Sequence, residues 1–143
     1  MQKNDADFQG VVLGLDVGDA RIGVARAHSI SRLPEPLATI HRKTENPIEA
    51  LRTLVKAEGA EKLVIGLPLL PSGDEGSQAD AVRLFVSQAE AALGVPAVFV
   101  DESFTSAEAD SYLAQKQWKS QESNDALAAC LILERYFTEA AHV

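Results

Sequence analysis

The fold follows from one stretch of the sequence, VVLGLDVGDARIGVA at residues 11–25. Two apolar runs, at residues 10–16 and 21–27, flank a turn that contains Gly18, which is the pattern of two strands joined as a hairpin. The first run ends on a carboxylate, Asp16. The position of this acid, at the end of an apolar strand, raises the question of what the carboxylate does there.

The rest of the chain alternates between strand and helix patterns. The predicted elements are a strand at 37–41, a helix that starts at Asn46–Pro47 and stops at Gly59, a strand at 62–66, a helix from Ser77 to Gly94, a strand at 97–102, a helix from Thr105 to about Gln115, and a last helix from about Asn124 to Thr138. Ser77 with Asp80, and Thr105 with Glu108, have the spacing of capping boxes. The polar residues 115–123 are predicted to form a mobile loop.

This order predicts an α/β fold with a mixed five-stranded sheet, in which an antiparallel hairpin meander is extended by parallel strands. Helices on both faces of the sheet would make three layers. We expect residues 1–143 to form a single domain, with residues 1–9 as a disordered leader.

Composition places the protein among soluble cytoplasmic ones. We expect no membrane span or signal peptide, because no apolar run reaches the required length. The only cysteine, Cys130, lies in the apolar run ALAACLIL and is predicted to be a core residue. Thirteen basic against 21 acidic residues give a formal charge of −8, which argues against broad electrostatic binding of nucleic acid.

The basic residues are nevertheless concentrated between Arg21 and Lys43, where the sequence has five lysines and arginines. Two interpretations stay open for this run. It forms either a solvated edge, with arginine stems covering apolar surface, or a patch that faces phosphate groups.

Several carboxylates occupy the ends of predicted elements. Asp16 ends the first strand, Asp101 and Glu102 end the last one, and Asp125 opens the final helix. Because strand side chains alternate, at most one of Asp101 and Glu102 is expected to join a cluster with the others. Singly, each acid is explained by a turn, a helix dipole or a solvated strand end.

Clustered carboxylates repel each other unless a cation lies between them. Oxygen ligands without histidine or cysteine favour Mg²⁺ or Mn²⁺, and one or two such ions can assist the hydrolysis of a phosphodiester bond. The sequence therefore predicts a metal-dependent nuclease site. The small residues that follow Asp125 would let the last helix lie close to the sheet.

The loop from Gly66 to Gly76 is a second candidate site, because it contains three glycines and Ser72 and leads into a helix. Free backbone N–H groups at that helix start could hold a phosphate. The loop lacks the lysine of a P-loop, which argues against ATP binding of that type. A plain surface loop is the alternative.

Five motifs together resemble the YqgF (RuvX) family, in order and spacing: LGLDVGDARIGVA, EPLATIHR, LVIGLPLLPSGDEGSQA, VFVDESFTSAEA and NDALAACLIL. The resemblance covers residues 11 to 137. Proteins of this family have a ribonuclease H-like fold and are described as Holliday junction resolvases or as nucleases that mature the ends of pre-16S ribosomal RNA.

The resemblance assigns catalytic and metal-binding roles to Asp16, Glu102 and Asp125, and so selects Glu102 over Asp101. It matches Arg21 to the arginine of the family's RIGVA stretch. The residues expected to contact nucleic acid are Arg21, Ser72, Gly73, Thr105, Lys116 and Lys119.

The chain departs from the family pattern at two places. Ser103 stands where the family usually has an arginine, and the segment before Asp125, often lysine-rich in the family, keeps only Lys116 and Lys119, beside Trp118. Trp118 would either anchor the loop or stack on a base. These departures affect the expected affinity for substrate more than metal binding.

The resemblance implies a nuclease that uses Mg²⁺ or Mn²⁺ and acts on structured RNA, most directly in 5′-end processing of pre-16S rRNA. Resolution of branched DNA and a non-catalytic role in RNA binding or ribosome assembly are the alternatives, the latter because of the acidic charge and Ser103. The sequence leaves open a monomer or a homodimer.

Overall fold

The structure is a computed structural model and describes residues 9–102 and 121–140, with side chains described from 124 to 139 in the second segment. Its elements are the strands β1 (Val11–Val17), β2 (Arg21–His28), β3 (Glu35–His41), β4 (Ala60–Pro68) and β5 (Ala97–Glu102), and the helices α1 (Pro47–Glu58), α2 (Ser77–Leu93) and α3 (Gln121–Ala140). None of these helices combines the length and apolarity that crossing a membrane requires.

The five strands form one mixed sheet in the order β3-β2-β1-β4-β5. The β1–β2 and β2–β3 pairs are antiparallel, whereas β4 pairs in parallel with both β1 and β5. The carboxyl ends of β1, β4 and β5 consequently meet at one edge of the sheet. The predicted hairpin meander with added parallel strands is confirmed.

The helices cover both faces of this sheet, as predicted. On one face α1 and α2 pack on large aliphatic side chains, including Leu13, Leu15 and Ile65, all fully buried. On the other face α3 packs on Val12, Ala25 and Val64. Alternation along the strands assigns each side chain to one of these two cores.

Local sequence accounts for the ends of α1. The Asn46 side chain accepts a hydrogen bond from the Glu49 N–H at 3.1 Å, and Pro47 is the first helical residue. The chain leaves the helix at Gly59, whose φ of 65° is in the left-handed region that glycine tolerates. Both ends agree with the sequence prediction.

The capping box predicted at Ser77 is wrong. Gly76 is the N-cap of α2 and makes no side-chain capping hydrogen bond, so Ser77 is already the first residue of the helix. The structure also assigns Gly66 to β4, which extends to Pro68, so the loop before α2 is shorter than predicted.

The last helix starts earlier than predicted, at Gln121 in place of Asn124. Residues 121–123 are therefore helical and do not belong to a loop. Asp125 is the fifth residue of α3 and so lies beyond the first turn. A helix dipole stabilises an acid most within the first turn, so its effect on Asp125 is reduced. The helix predicted at Thr105 and the rest of the predicted loop, with Trp118, lie outside the described residues.

Candidate metal and nucleic-acid site

Two of the predicted carboxylates lie next to each other at the carboxyl edge of the sheet. Asp16 is the sixth residue of β1 and Glu102 the last residue of β5, and their side chains are hydrogen-bonded to each other. Both point to the α3 face, because Asp16 continues the alternation of Val12 and Glu102 that of Val100. Asp101 takes the opposite direction and is exposed.

The electrostatics of this pair are those of half-buried acids that share a proton. Burial, then the nearby charge of Asp125, raises the pKa of Asp16 to about 6. Burial, the charge of Asp16 and the hydrogen bond between them raise the pKa of Glu102 to about 7. Without a cation, two adjacent negative charges are unfavourable in this poorly solvated place.

Gly66 makes room for the pair. A Cβ built on Gly66 would lie 3.1 Å from Glu102 Oε2 and 2.6 Å from Ile132 Cδ1. Any side chain here would press on both the carboxylate and α3. The sequence predicts Gly66 as the last residue of a strand and the first of a candidate phosphate-binding loop; the structure keeps it in β4 and places it beneath Glu102.

Asp125 is brought to the site because α3 lies directly on β2. A Cβ on Gly23 would come within 1.9 Å of the Asp125 carbonyl oxygen, a distance that no folded chain allows. Gly23 in turn pairs with Asp16 across β1 and β2. The small residues Ala126, Ala129 and Cys130 are buried on this side of α3, as the sequence predicted.

The Asp125 carboxylate is close enough to Asp16 to raise its pKa, yet it is engaged elsewhere. Arg21 Nε donates a hydrogen bond to Asp125 Oδ2 at 2.6 Å. The Asp125 side chain is 17% exposed and that of Arg21 is 36% exposed. Arg21, expected to contact phosphate, therefore holds the third carboxylate in this conformation.

Within the described residues, no three histidine, cysteine or acidic side chains form a group arranged to hold a metal ion. The structure thus brings Asp16 and Glu102 together and keeps Asp125 beside them, paired with Arg21. The donor set still fits a hard divalent cation, since it consists of carboxylate oxygens on a rigid edge. Two of these carboxylates, Asp16 and Glu102, are half-buried, and burial raises the pKa of both.

Of the other residues predicted to contact nucleic acid, two lie in the described part of the chain and three lie outside it. Ser72 and Gly73 lie in the exposed loop between β4 and α2, where the Ser72 hydroxyl is 3.2 Å from Asp74 Oδ2 and Gly73 has a φ of 89°. Thr105, Lys116 and Lys119 lie outside the described residues, as does Ser103. Within the basic run of residues 21–43, Arg26 forms ion pairs with Glu35 and Glu58.

A family model described as "RuvX: Holliday junction resolvase" matches residues 10–139. The chain belongs to the RuvX family. It is 39% identical over 129 residues to a protein of Syntrophus aciditrophicus named "Putative pre-16S rRNA nuclease", with 87% of this chain and 86% of that protein covered. A Chloroflexus aggregans protein of the same name is 40% identical over 129 residues, with 87% and 91% covered.

Solved structures of RuvC resemble this RuvX chain in fold. Thermus thermophilus RuvC has a TM-score of 0.58 at 14% identity, covering 92% of this chain and 96% of that one. RuvC from the same organism in complex with a Holliday junction substrate has a TM-score of 0.61, also at 14% identity, with 94% and 97% covered. The expected ribonuclease H-like fold is confirmed.

The sequence reasoning missed what the strand glycines do in this RuvX chain. The sequence patterns assign Gly23 to a strand, and Gly66 to the end of a strand and the start of a loop. A glycine inside a strand, however, often indicates that another backbone approaches closely. Such a signal was present in GLDVG, RIGVA and VIGLP. It indicates where α3 touches the sheet and so where Asp125 comes to lie.

Proposed function

We propose that this chain is a divalent-metal-dependent nuclease that hydrolyses phosphodiester bonds in structured RNA, namely at the 5′ end of pre-16S rRNA in the cytoplasm. The observation that carries the proposal is the hydrogen-bonded pair of Asp16 and Glu102, half-buried on a rigid sheet edge with Asp125 beside it. The names of the RuvX relatives support both the reaction and the substrate.

Asp16 and Glu102 would hold one Mg²⁺ or Mn²⁺ between them after losing their shared proton. Asp125 would complete the site, or help to hold a second ion, once Arg21 releases it. A bound divalent ion supplies Lewis-acid chemistry, since it polarises a phosphoryl oxygen and lowers the pKa of water. The rigid ends of β1 and β5 keep the two carboxylates in register with each other.

Arg21 has two tasks in this proposal. In the metal-free chain its guanidinium holds Asp125 in an ion pair and partly offsets the negative charge that Asp125 adds beside Asp16. When substrate and metal bind, the same guanidinium can turn to a phosphate oxygen, for which its planar fork of donors is suited. The exchange couples release of Asp125 to arrival of the substrate.

The test is cleavage of a panel of RNAs and DNAs in Mn²⁺ and in chelator: pre-16S rRNA fragments, single strands and four-way junctions. We expect metal-dependent cleavage of the rRNA fragments. Glu102→Gln should reduce the rate by at least about a thousandfold, the scale of losing a group that acts directly in the transition state. Asp101→Asn is the matched control, adjacent but exposed, and should retain activity.

Resolution of branched DNA is the second candidate, favoured by the description of the RuvX family model. The same panel of substrates distinguishes RNA cleavage from junction resolution, because preferential cleavage of four-way junctions would identify branched DNA as the substrate. If Glu102→Gln cleaves as fast as Asp101→Asn, the carboxylate pair is not the reaction centre and the proposed mechanism is wrong. Metal-independent binding of RNA without cleavage would favour the non-catalytic ribosome-assembly role.

A further inference from the structure

A pocket opens at the carboxyl end of β1, with a volume of about 360 Å³. Its walls come from residues 17–19, which follow Asp16, from Arg42 and Lys43 after β3, and from the start of α2 at Gln78. Val17 belongs to the core under α1 and α2, so the pocket lies on the opposite face of the sheet from Asp16 and Glu102. It is thus separate from the carboxylate site but only one residue away along β1.

Arg42 is held firmly in this wall. Its Nη1 donates a hydrogen bond to the Gly18 carbonyl oxygen at 2.8 Å, and its backbone N–H donates to the Ala20 carbonyl oxygen at 2.9 Å. The guanidinium carbon lies 5.1 Å from the centre of the Phe85 ring. A fixed guanidinium binds an anion with little loss of conformational entropy, and this hydrogen bond uses one of its five N–H groups.

The rest of the lining adds positive potential. Lys43 is exposed beside Arg42 and brings a second full charge, against the single acid Asp19. Gln78 adds an amide, and it lies in the first turn of α2, whose N-cap Gly76 provides no capping side chain. The described residues that line the pocket therefore include two cations and one acid, in a protein whose formal charge is −8.

We propose that this pocket binds a backbone phosphate of the nucleic acid strand whose scissile phosphate lies at Asp16 and Glu102. The strand would pass over the carboxyl edge of the sheet from the α3 face to the α2 face. This inference rests on the proposed nuclease function, because it takes the strand at the carboxylates as given. The size of the pocket suits a phosphate with its neighbouring sugar, and the guanidinium and ammonium pair supplies the contacts.

The test is binding of a fluorescent single-stranded RNA to the full chain in chelator, with amide NMR shifts to locate it. Lys43→Glu should raise the Kd at least about fivefold and reduce its salt dependence by about one phosphate contact. Lys56→Glu, at another exposed lysine, on α1, is the charge-matched control and should change the Kd less than twofold. RNA should shift the amides of Gly18, Lys43 and Gln78 in the wild type.

Equal Kd values for the two variants, shifts confined to other parts of the chain, or no binding of RNA would each overturn the proposal. Adenosine monophosphate binding as tightly as RNA would also overturn it, because the pocket would then be a mononucleotide site. Cleavage of the same RNA in Mn²⁺ is followed in parallel. Binding at the pocket without cleavage rejects the nuclease function alone, whereas cleavage with equal Kd values rejects the pocket alone.

Discussion

The two faces of the sheet are built on different principles. Under α1 and α2, leucine, isoleucine and valine side chains separate the helices from the strands and form an ordinary aliphatic core. Under α3, the strand glycines Gly14, Gly23 and Gly66 let the helix come so close that added Cβ atoms would collide with it. Close packing on one face positions the acids, whereas ordinary packing on the other face leaves room for the pocket beside Val17.

The largest loss of stability is expected when a methyl group is added under α3. Gly23→Ala would place a Cβ 1.9 Å from the Asp125 carbonyl oxygen, backbone that cannot rotate away. We expect a loss of at least about 3 kcal/mol in the free energy of unfolding, measured by urea denaturation, because overpacking forces the helix off the sheet.

Gly59→Ala is the control for this substitution, since nothing lies within 4 Å of a Cβ there and only its φ of 65° is unfavourable. Its expected cost is about 1 kcal/mol, from the left-handed conformation alone. A Gly23→Ala protein as stable as Gly59→Ala would contradict close packing of α3.

The second prediction concerns the charge that this packing buries. The pKa values of Asp16 and Glu102 are raised from 3.8 and 4.5 to about 6 and about 7, so the folded chain binds more protons than the unfolded chain between these values. Without metal, this pair should therefore contribute most to the free energy of unfolding below about pH 4, and its contribution should be lost as the pH rises through about 6 and 7, by on the order of 2 kcal/mol.

Urea midpoints in chelator between pH 4 and pH 8 measure this decrease. Asp16→Asn removes one of the two charges and should flatten the curve and raise stability at pH 7.5. A difference in midpoint between the wild type and Asp16→Asn that stays the same from pH 4.5 to pH 7.5 would show that the two carboxyls are not buried together.

The third prediction concerns the link between Arg21 and Asp125. Arg21→Gln leaves Asp125 without the guanidinium at 2.6 Å, and we expect about 1 kcal/mol lower stability without metal, since the pair is partly exposed. The loss of a positive charge beside the site should also tighten Mn²⁺ binding several-fold.

Glu139→Gln, which removes an exposed ion pair with Arg135 on the same helix, is the control and should cost only a few tenths of a kcal/mol. Calorimetry and urea denaturation measure the two effects. Weaker Mn²⁺ binding in Arg21→Gln would mean that Arg21 helps to organise the site and does not compete with the ion.

The smallest effect is expected on the face with ordinary packing. Ser77→Ala should change the free energy of unfolding by less than about 0.5 kcal/mol, because Gly76 and not Ser77 is the N-cap of α2. Asn46→Ala, at the true N-cap of α1, should cost about 1 kcal/mol. Equal losses in the free energy of unfolding of the two variants would support the capping box predicted at Ser77.

Features that depend on periodicity and local chemistry were predictable from the sequence. The hairpin, the buried strand of residues 62–66 and the Asn46–Pro47 helix start all follow from patterns within a few residues. The N-cap of α2 could not be predicted, because both Gly76 and Ser77 are residues that suit an N-cap position. The sequence pattern does not decide which of them occupies it, and in the structure it is Gly76.

Contacts between distant parts of the chain were only partly predictable. That Asp16 and one acid of the Asp101–Glu102 pair meet at one sheet edge follows from the strand ends, but the choice of Glu102 over Asp101 needed the family resemblance or the packing of Val100 under α3. The pairing of Arg21 with Asp125 spans 104 residues and depends on how closely α3 approaches β2. No local pattern encodes such a distance.

Calorimetric titration of Mn²⁺ at pH 7.5 into the wild type, Glu102→Gln and Asp101→Asn measures whether the pair of Asp16 and Glu102 holds a divalent ion. We expect saturable binding in the wild type and in Asp101→Asn, and at least about a tenfold weaker affinity in Glu102→Gln. No saturable binding up to millimolar Mn²⁺ in the wild type, or equal affinities in all three proteins, would contradict it.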